Sequence, residues 1–309
     1  MALVSVIVPC FNHARFLQDA VYSILRQTHR DLEVIIVDDG SHDCSADVIR
    51  ELEGMDTRIQ SIRNKRNFGP SRSRNDGLLA SRGEFIGFCD ADDIWLPEKL
   101  ARQVSLLQMA PEFGVTYCDS EIVDEWGVKT GRKFSDEYSL PVNHSGDIFN
   151  ELCVRNFINT QSVLVRRDVS PSSGWFDERI RCSEDWWLWL RFAKLTKFKY
   201  DPTVLAKYRV HSLSTSRTQR MRYQRDRWKV CKRNLRTHTD MLLHLQGVMW
   251  YTMGYALVSI DRKRRGRKFM LHGLYCFIRG RGSVRRLLQM SARIGFLAIT
   301  GITDSVCRS

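Results

Sequence analysis

VSVIVPCFNHARFLQDAVYSILRQTHRDLEVIIVDD, residues 4–39, decides the fold. Residues 4–10 form an unbroken apolar run rich in Val and Ile, the pattern of a strand buried on both faces. Residues 14–27 then change period, with Phe16, Leu17, Ala20, Val21, Ile24 and Leu25 recurring at helical spacing. Residues 32–39, LEVIIVDD, return to a continuous apolar strand. A helix over 46–53, a strand around IQSIR (59–63), a helix over 71–80 and a strand in EFIGFCD (84–90) carry the rhythm onward. Buried strands alternating with helices predict an α/β protein built on a doubly wound, mostly parallel sheet flanked by helices. No internal repeat or low-complexity segment interrupts it.

In such a sheet ligands bind where the loops leave the carboxyl ends of the strands. Two of the predicted strands end there in acids: Asp38 and Asp39 in IIVDDGSHD, and Asp90, Asp92 and Asp93 in FIGFCDADDIW. Carboxylates so close together repel one another and lose hydration when covered, so they call for a compensating charge, most simply a divalent cation. Asp38, Asp39 and Ser41 also suit a simpler job, capping the next helix or turning the chain with Gly40.

With 309 residues, 43% of them hydrophobic, the chain can bury a full core. Its nine cysteines are scattered singly, without metal-ligand spacing, as expected of reduced cysteines in a cytosolic protein. The start, MALVSVIVPC, has no basic region ahead of its apolar run, so no signal peptide is expected and the front part is expected in the cytoplasm. The net charge of +13 is unevenly spread: residues 217–309 hold 21 Lys or Arg against 4 Asp or Glu, a net of +17, leaving 1–216 at 27 against 31, or −4. That break predicts a front domain, 1–216, and a basic helical C-terminal region, 217–309.

VSVIVPCFN, the strand ending VDDGS, NFGPSRSRNDG, FCDADD and SEDWWLWLRFA together resemble, in order and spacing, the family 2 glycosyltransferases, over roughly residues 3–211. The resemblance implies the GT-A fold and inverting transfer of a sugar from a nucleotide donor, usually a UDP-sugar, with Mg²⁺ or Mn²⁺. It implies that Asp90-Ala91-Asp92 is the family's D-x-D, with Asp92 as metal ligand and Asp90 directed to the ribose or metal. Asp39 would accept a hydrogen bond from uracil, Pro9, Phe11 and Asn12 would shape the base pocket, and Asn67 and Arg74 would touch the nucleotide. The Glu184-Asp185 pair would provide the base, with Asp185 taking the acceptor's proton. Arg209 and His211, in LAKYRVHSLSTS, which resembles the family's segment that closes the active site, would contact phosphates or the metal, and His211 suits a structural hydrogen bond equally well.

The chemistry agrees with these roles. A leaving diphosphate develops charge that a hard cation neutralises, and an attacking hydroxyl needs a carboxylate to take its proton. For Glu184 and Asp185 the alternative is that Ser183 caps their helix and the acids complement its dipole; for Asp93, an N-cap or supporting place at the helix near Pro97 is expected. Trp175, Trp186 and Trp187 suit either sugar stacking or core packing.

The basic region is expected to be peripheral at an anionic membrane surface, on the inner face of the plasma membrane, where a saccharide or lipid-linked saccharide acceptor would be met. Residues 241–260 have the length of a membrane span but are diluted by polar residues, and RKRRGRK (262–268) would then lie on the wrong side. Two other functions fit the same features less well: a metal-dependent nucleotidyltransferase, and a nucleotide sensor whose basic tail binds nucleic acid. No nucleic-acid motif is present, so no nucleic-acid partner is expected.

Overall fold

A computed structural model describes residues 2–138, 144–172, 174–212 and 214, together with 222, 225, 226, 229, 230, 267 and 268. The chain divides into two compact units, Met1–Thr218 and Gln219–Ser309. The expectations for 241–260, and for 262–268 apart from Arg267 and Lys268, fall outside the described residues.

The first unit opens as the sequence predicts. Strand β1 (Val4–Cys10), helix α1 (Ala14–Leu25), strand β2 (Leu32–Asp38), helix α2 (Ser45–Met55), strand β3 (Ile59–Arg63), helix α3 (Pro70–Ala80) and strand β4 (Phe85–Phe88) follow one another. The order β3-β2-β1-β4 is parallel throughout. Successive side chains of a strand face opposite ways, and both sides are covered. Val4, Val6, Val8, Val34 and Ile36 share a core with α1, with Ile49 and Leu52 of α2, and with Leu100, Val104 and Leu107 of a later helix. On the other side Gly77 of α3 comes so close to Ile7 and Val37 that a Cβ there would stand 2.6 Å from the Ile7 side chain.

Pro9 inside β1 looks misplaced in a central strand, because it has no N–H to give. Ile7 accepts the Cys89 N–H on the β4 side and Cys10 accepts the Asp39 N–H on the β2 side. The alternation therefore turns Pro9 towards the β4 side, and β4 has already ended at Phe88, paired with Ile7. No ladder bond is lost.

Beyond β4 the sheet is mixed. It continues through β5 (Ile94–Trp95), α4 (Lys99–Met109), β6 (Phe113–Val123), β7 (Lys129–Lys133), the short helices α5 (Phe134–Tyr138) and α6 (Phe149–Val154), β8 (Val163–Arg166), α7 (Glu184–Phe192) and β9 (Lys197–Arg209). Strand β8 lies between β4 and β6, antiparallel to both, β6 and β9 are parallel, and β5 closes that edge antiparallel to β9. The two residues of β5 follow the aspartates directly, so 90–93 form a tight turn held where the strands β4, β5 and β9 meet. No helix among the described residues is long and apolar enough to cross a membrane.

Candidate active site

The acids at the two strand ends have separate jobs. Asp38 turns the chain: its Oδ1 accepts the Ser41 N–H at 2.9 Å, with Gly40 at φ +72°. Asp39 instead holds the loop before α3, accepting the Asn64 side-chain amide (3.0 Å) and the backbone N–H groups of Phe68 (3.0 Å) and Gly69 (2.7 Å). A carboxylate offers about four lone-pair positions, and these three bonds hold the nearly buried Asp39 side chain in place. Asn64, which the sequence reading passed over, is the side chain that meets Asp39; Asn67 is exposed in the same loop. Pro9, Phe11 and Asn12 are partly buried at the end of β1 beside them.

Arg74 is the hinge of the site. It is buried, donates to Asp90 Oδ1 at 2.6 Å through one nitrogen and to Glu184 Oε1 at 2.7 Å through another. Burial works against its charge, yet the two carboxylates outweigh it and raise its pKa above the usual arginine value. One guanidinium thus ties the end of β4 to the start of α7. Its Nε has no hydrogen-bond partner among the described residues, and the burial makes it an interior group and not a solvated helix-face arginine.

At the start of α7, Ser183 does not cap the helix. It sits in the left-handed region, φ +68°, and its hydroxyl makes no capping bond. A non-glycine residue held at positive φ costs about 1–3 kcal/mol and is concentrated at functional sites. The turn directs both acids inward. Asp185 Oδ2 accepts Asn156 Nδ2 at 3.0 Å and the Thr160 hydroxyl at 3.4 Å, and Oδ1 accepts the Trp186 N–H at 2.7 Å. Burial raises the Asp185 pKa against these hydrogen bonds, and burial lifts Glu184 to about 7 despite Arg74. Trp186 is core, its indole N–H bonded to the Leu152 carbonyl, and Trp175 packs edge-on against Phe88 and Phe192. Asn156 and Thr160 gave no sequence signal, since they lie far along the chain in an irregular stretch.

The acids of 90–93 diverge. Asp90 goes to Arg74. Asp92 Oδ2 meets His211 Nε2 at 2.8 Å; burial would raise its pKa, but the two imidazoles beside it hold it below the usual carboxylate range. Asp93 corrects the expectation of a cap near Pro97. The residue ahead of α4 is Glu98, while Asp93 is buried and accepts the Arg209 N–H at 2.8 Å, because β9 passes directly beside the turn. Burial and the neighbouring carboxylates push Asp93 well above the usual range. Arg209 donates to Asp92 O and Glu125 O at 2.8 Å each and reaches the Asp19 carboxylate at 3.4 Å.

A residue absent from the sequence reading completes this corner. His13, Asp92 and His211 each present a ligand atom within 4.8 Å of the others. Asp90, expected with them, is drawn away by Arg74. Nitrogen and carboxylate donors converging at one edge fit a divalent ion.

Over residues 5–170 the sequence matches the family described as Glycosyl transferase family 2, and the chain belongs to that family. An uncharacterised glycosyltransferase of Nostoc sp. is 35% identical over 216 residues, covering 67% of this chain and 65% of that protein. A putative teichuronic acid biosynthesis glycosyltransferase of Bacillus subtilis is 26% identical, covering 84% of this chain and 97% of its own. Against an uncharacterised glycosyltransferase of Rickettsia typhi, 28% identical, the match spans 66% of the relative's length. Among solved structures, the mannosyltransferase of Pyrobaculum calidifontis in complex with GDP-Man and Mn²⁺ superposes with a TM-score of 0.62 at 18% identity, over 96% of this chain and 80% of that one. S. aureus TarS in complex with UDP gives 0.56 at 16% identity, over 94% and 91%. The fold is GT-A.

Proposed function

We propose that the chain is an inverting glycosyltransferase that moves a sugar from a nucleotide donor, a UDP-sugar, to a hydroxyl of a saccharide or lipid-linked saccharide in cell-surface polysaccharide synthesis. One observation carries the reading: buried Arg74 joins partly exposed Asp90 at the end of β4 to buried Glu184, one of the acids that open α7. Donor end and acceptor end are thereby fixed against each other, which is what transfer between two bound molecules requires.

In this reading Asp39, with Pro9, Phe11 and Asn12, receives the base, and Asn67, Arg74 and Asp90 lie along the nucleotide. Asp185 takes the proton of the attacking hydroxyl, helped by a pKa already raised by burial, while Glu184, paired with Arg74, holds the pair's charge in place. Asp92 and His211 would hold Mg²⁺ or Mn²⁺, whose chemistry is to neutralise charge on the departing diphosphate. The TarS complex with UDP and the name of the Bacillus subtilis relative support the donor and the pathway; the mannosyltransferase complex supports a divalent ion. Family membership favours transfer over the nucleotidyltransferase and the nucleotide sensor.

The test is a screen of UDP- and GDP-sugars for nucleoside diphosphate release, with and without Mn²⁺ and Mg²⁺. UDP release from one UDP-sugar is expected. Release of pyrophosphate in its place would reassign the chemistry, and release from a GDP-sugar would reassign the base.

A further inference from the structure

We propose that His13 is a third protein ligand of the divalent ion, and that two imidazoles with one carboxylate make this site favour Mn²⁺ over Mg²⁺. The proposal rests on the reading that an ion binds at Asp92 and His211, and it adds a residue and a selectivity to that reading.

Three segments far apart in sequence bring the donors together: His13 from the turn between β1 and α1, Asp92 from the turn between β4 and β5, and His211 from just beyond β9. Donor atoms around an ion at about 2.1 Å stand roughly 3 to 4.2 Å apart. Asp92 Oδ2 and His211 Nε2 already stand 2.8 Å apart and all three donor atoms lie within 4.8 Å of one another, so side-chain rotations that move a donor by at most roughly 1 to 2 Å close the sphere.

The backbone on both sides of His13 is pinned. Asn12 occupies the left-handed region at φ +56°, its N–H donates to Ser41 Oγ at 3.0 Å, and its Oδ1 accepts the His42 N–H at 2.8 Å. Ala14 then donates its N–H to Asp43 Oδ2 at 3.1 Å. A strained, doubly anchored residue directly before His13 fixes where that imidazole enters the site. His211 is steadied by the Phe16 ring, 4.9 Å away between centroids, and stands edge-on to His13 at 5.8 Å and 82°. Packing against Phe16 alone would ask only for a flat ring at position 13. The convergence with a carboxylate asks for nitrogen.

The donor set decides the ion. Mg²⁺ demands near-octahedral oxygen ligands and keeps its waters, whereas imidazole suits the later first-row ions, and affinity rises from Mn²⁺ along that series. Two nitrogens therefore cost Mg²⁺ more than Mn²⁺.

The experiment uses the full chain and Mn²⁺ itself. Free Mn²⁺ is followed by its EPR signal during titration, with and without UDP, and electron spin-echo modulation counts the bound nitrogens; Mg²⁺ is measured by competition. The wild type is expected to show two imidazole nitrogens on Mn²⁺. In His13→Ala the count should fall to one, Mn²⁺ affinity should drop by at least about tenfold to a hundredfold, the loss already found when only a group hydrogen-bonded to a metal ligand is removed, and Mg²⁺ affinity should change much less. His13→Phe, which keeps a ring against Phe16, should behave like His13→Ala if nitrogen matters and like the wild type if packing does. Unchanged nitrogen count and Mn²⁺ affinity in both variants would overturn the proposal while leaving the ion at Asp92 and His211 intact. A wild type that binds neither ion, with or without UDP, would overturn the metal reading, and this proposal with it.

Discussion

Asp185 is where burial and hydrogen bonding oppose each other most usefully. Burial raises its pKa, while the Trp186 N–H and the Asn156 amide stabilise the charged form and restrain the rise. A general base works only when deprotonated, so turnover should fall as pH drops through that raised pKa, giving an acid limb above the ordinary aspartate value of about 3.9. Removing the Asn156 hydrogen bond takes away support for the carboxylate. The acid limb of kcat should therefore move to higher pH in Asn156→Ala, a direction that simple loosening of the loop would not produce. Asp185→Asn keeps the shape and removes the base, so UDP binding should survive while turnover drops about 10²-fold or more; a variant that keeps most of its turnover would move the role to Glu184. Asp92→Ala should leave the fold, remove Mn²⁺-dependent UDP binding in calorimetry, and abolish nearly all transfer, since Asp92 lies at a sheet edge against His211 and outside the apolar core.

The elements show which features were legible in the sequence. Strands β1, β2 and β4 announce themselves because burial on both faces demands unbroken Val, Ile and Phe, and α1 because one face must be apolar at helical spacing. The place of β8 was not legible: pairing partners and direction depend on what meets in space, and VLVR carries no mark of being antiparallel between β4 and β6. Within the site, Asp92, Arg74 and Asp185 stand in recognisable stretches, whereas His13, Asn64, Asn156 and Thr160 become visible only when distant loops converge. The separate fates of Asp90 and Asp92 were equally hidden, because adjacent acids in a turn point in different directions. Helix α3 tests this at its own scale. Gly77 lets α3 lie directly on Ile7 and Val37, where a Cβ would stand 2.6 Å and 3.3 Å from their side chains. Ala is the better helix former by up to about 1 kcal/mol, but overpacking here costs about 1–3 kcal/mol. Gly77→Ala should thus be destabilising in urea unfolding, and it should weaken UDP binding because Arg74 rides on the same helix. A stabilised variant would show that the contact relaxes easily.

At the scale of the whole molecule the chain joins two unlike parts: a front portion of net −4 that carries the site, and residues 217–309 with a net of +17. So large a positive charge, interleaved with Leu, Ile, Phe and Trp, is suited to an anionic lipid surface, where each basic side chain contributes about 1 kcal/mol within a Debye length. We infer that this portion holds the enzyme at the membrane that presents a lipid-linked acceptor, which would spare the front portion from binding that acceptor tightly. The consequence is a separation of functions. Binding to vesicles should be strong when they contain anionic lipid, weak when they are neutral, and partly reversed by high salt. Neutralising Arg262, Lys263, Arg264 and Arg265 should release the protein from anionic vesicles while leaving UDP release from the donor unchanged, because every residue assigned to the donor and the base lies before residue 212. Flotation with liposomes measures the first effect and a UDP-release assay the second. Equal binding to neutral and anionic vesicles would point instead to insertion of 241–260, and absence of binding to both would make the basic region a packing or assembly element.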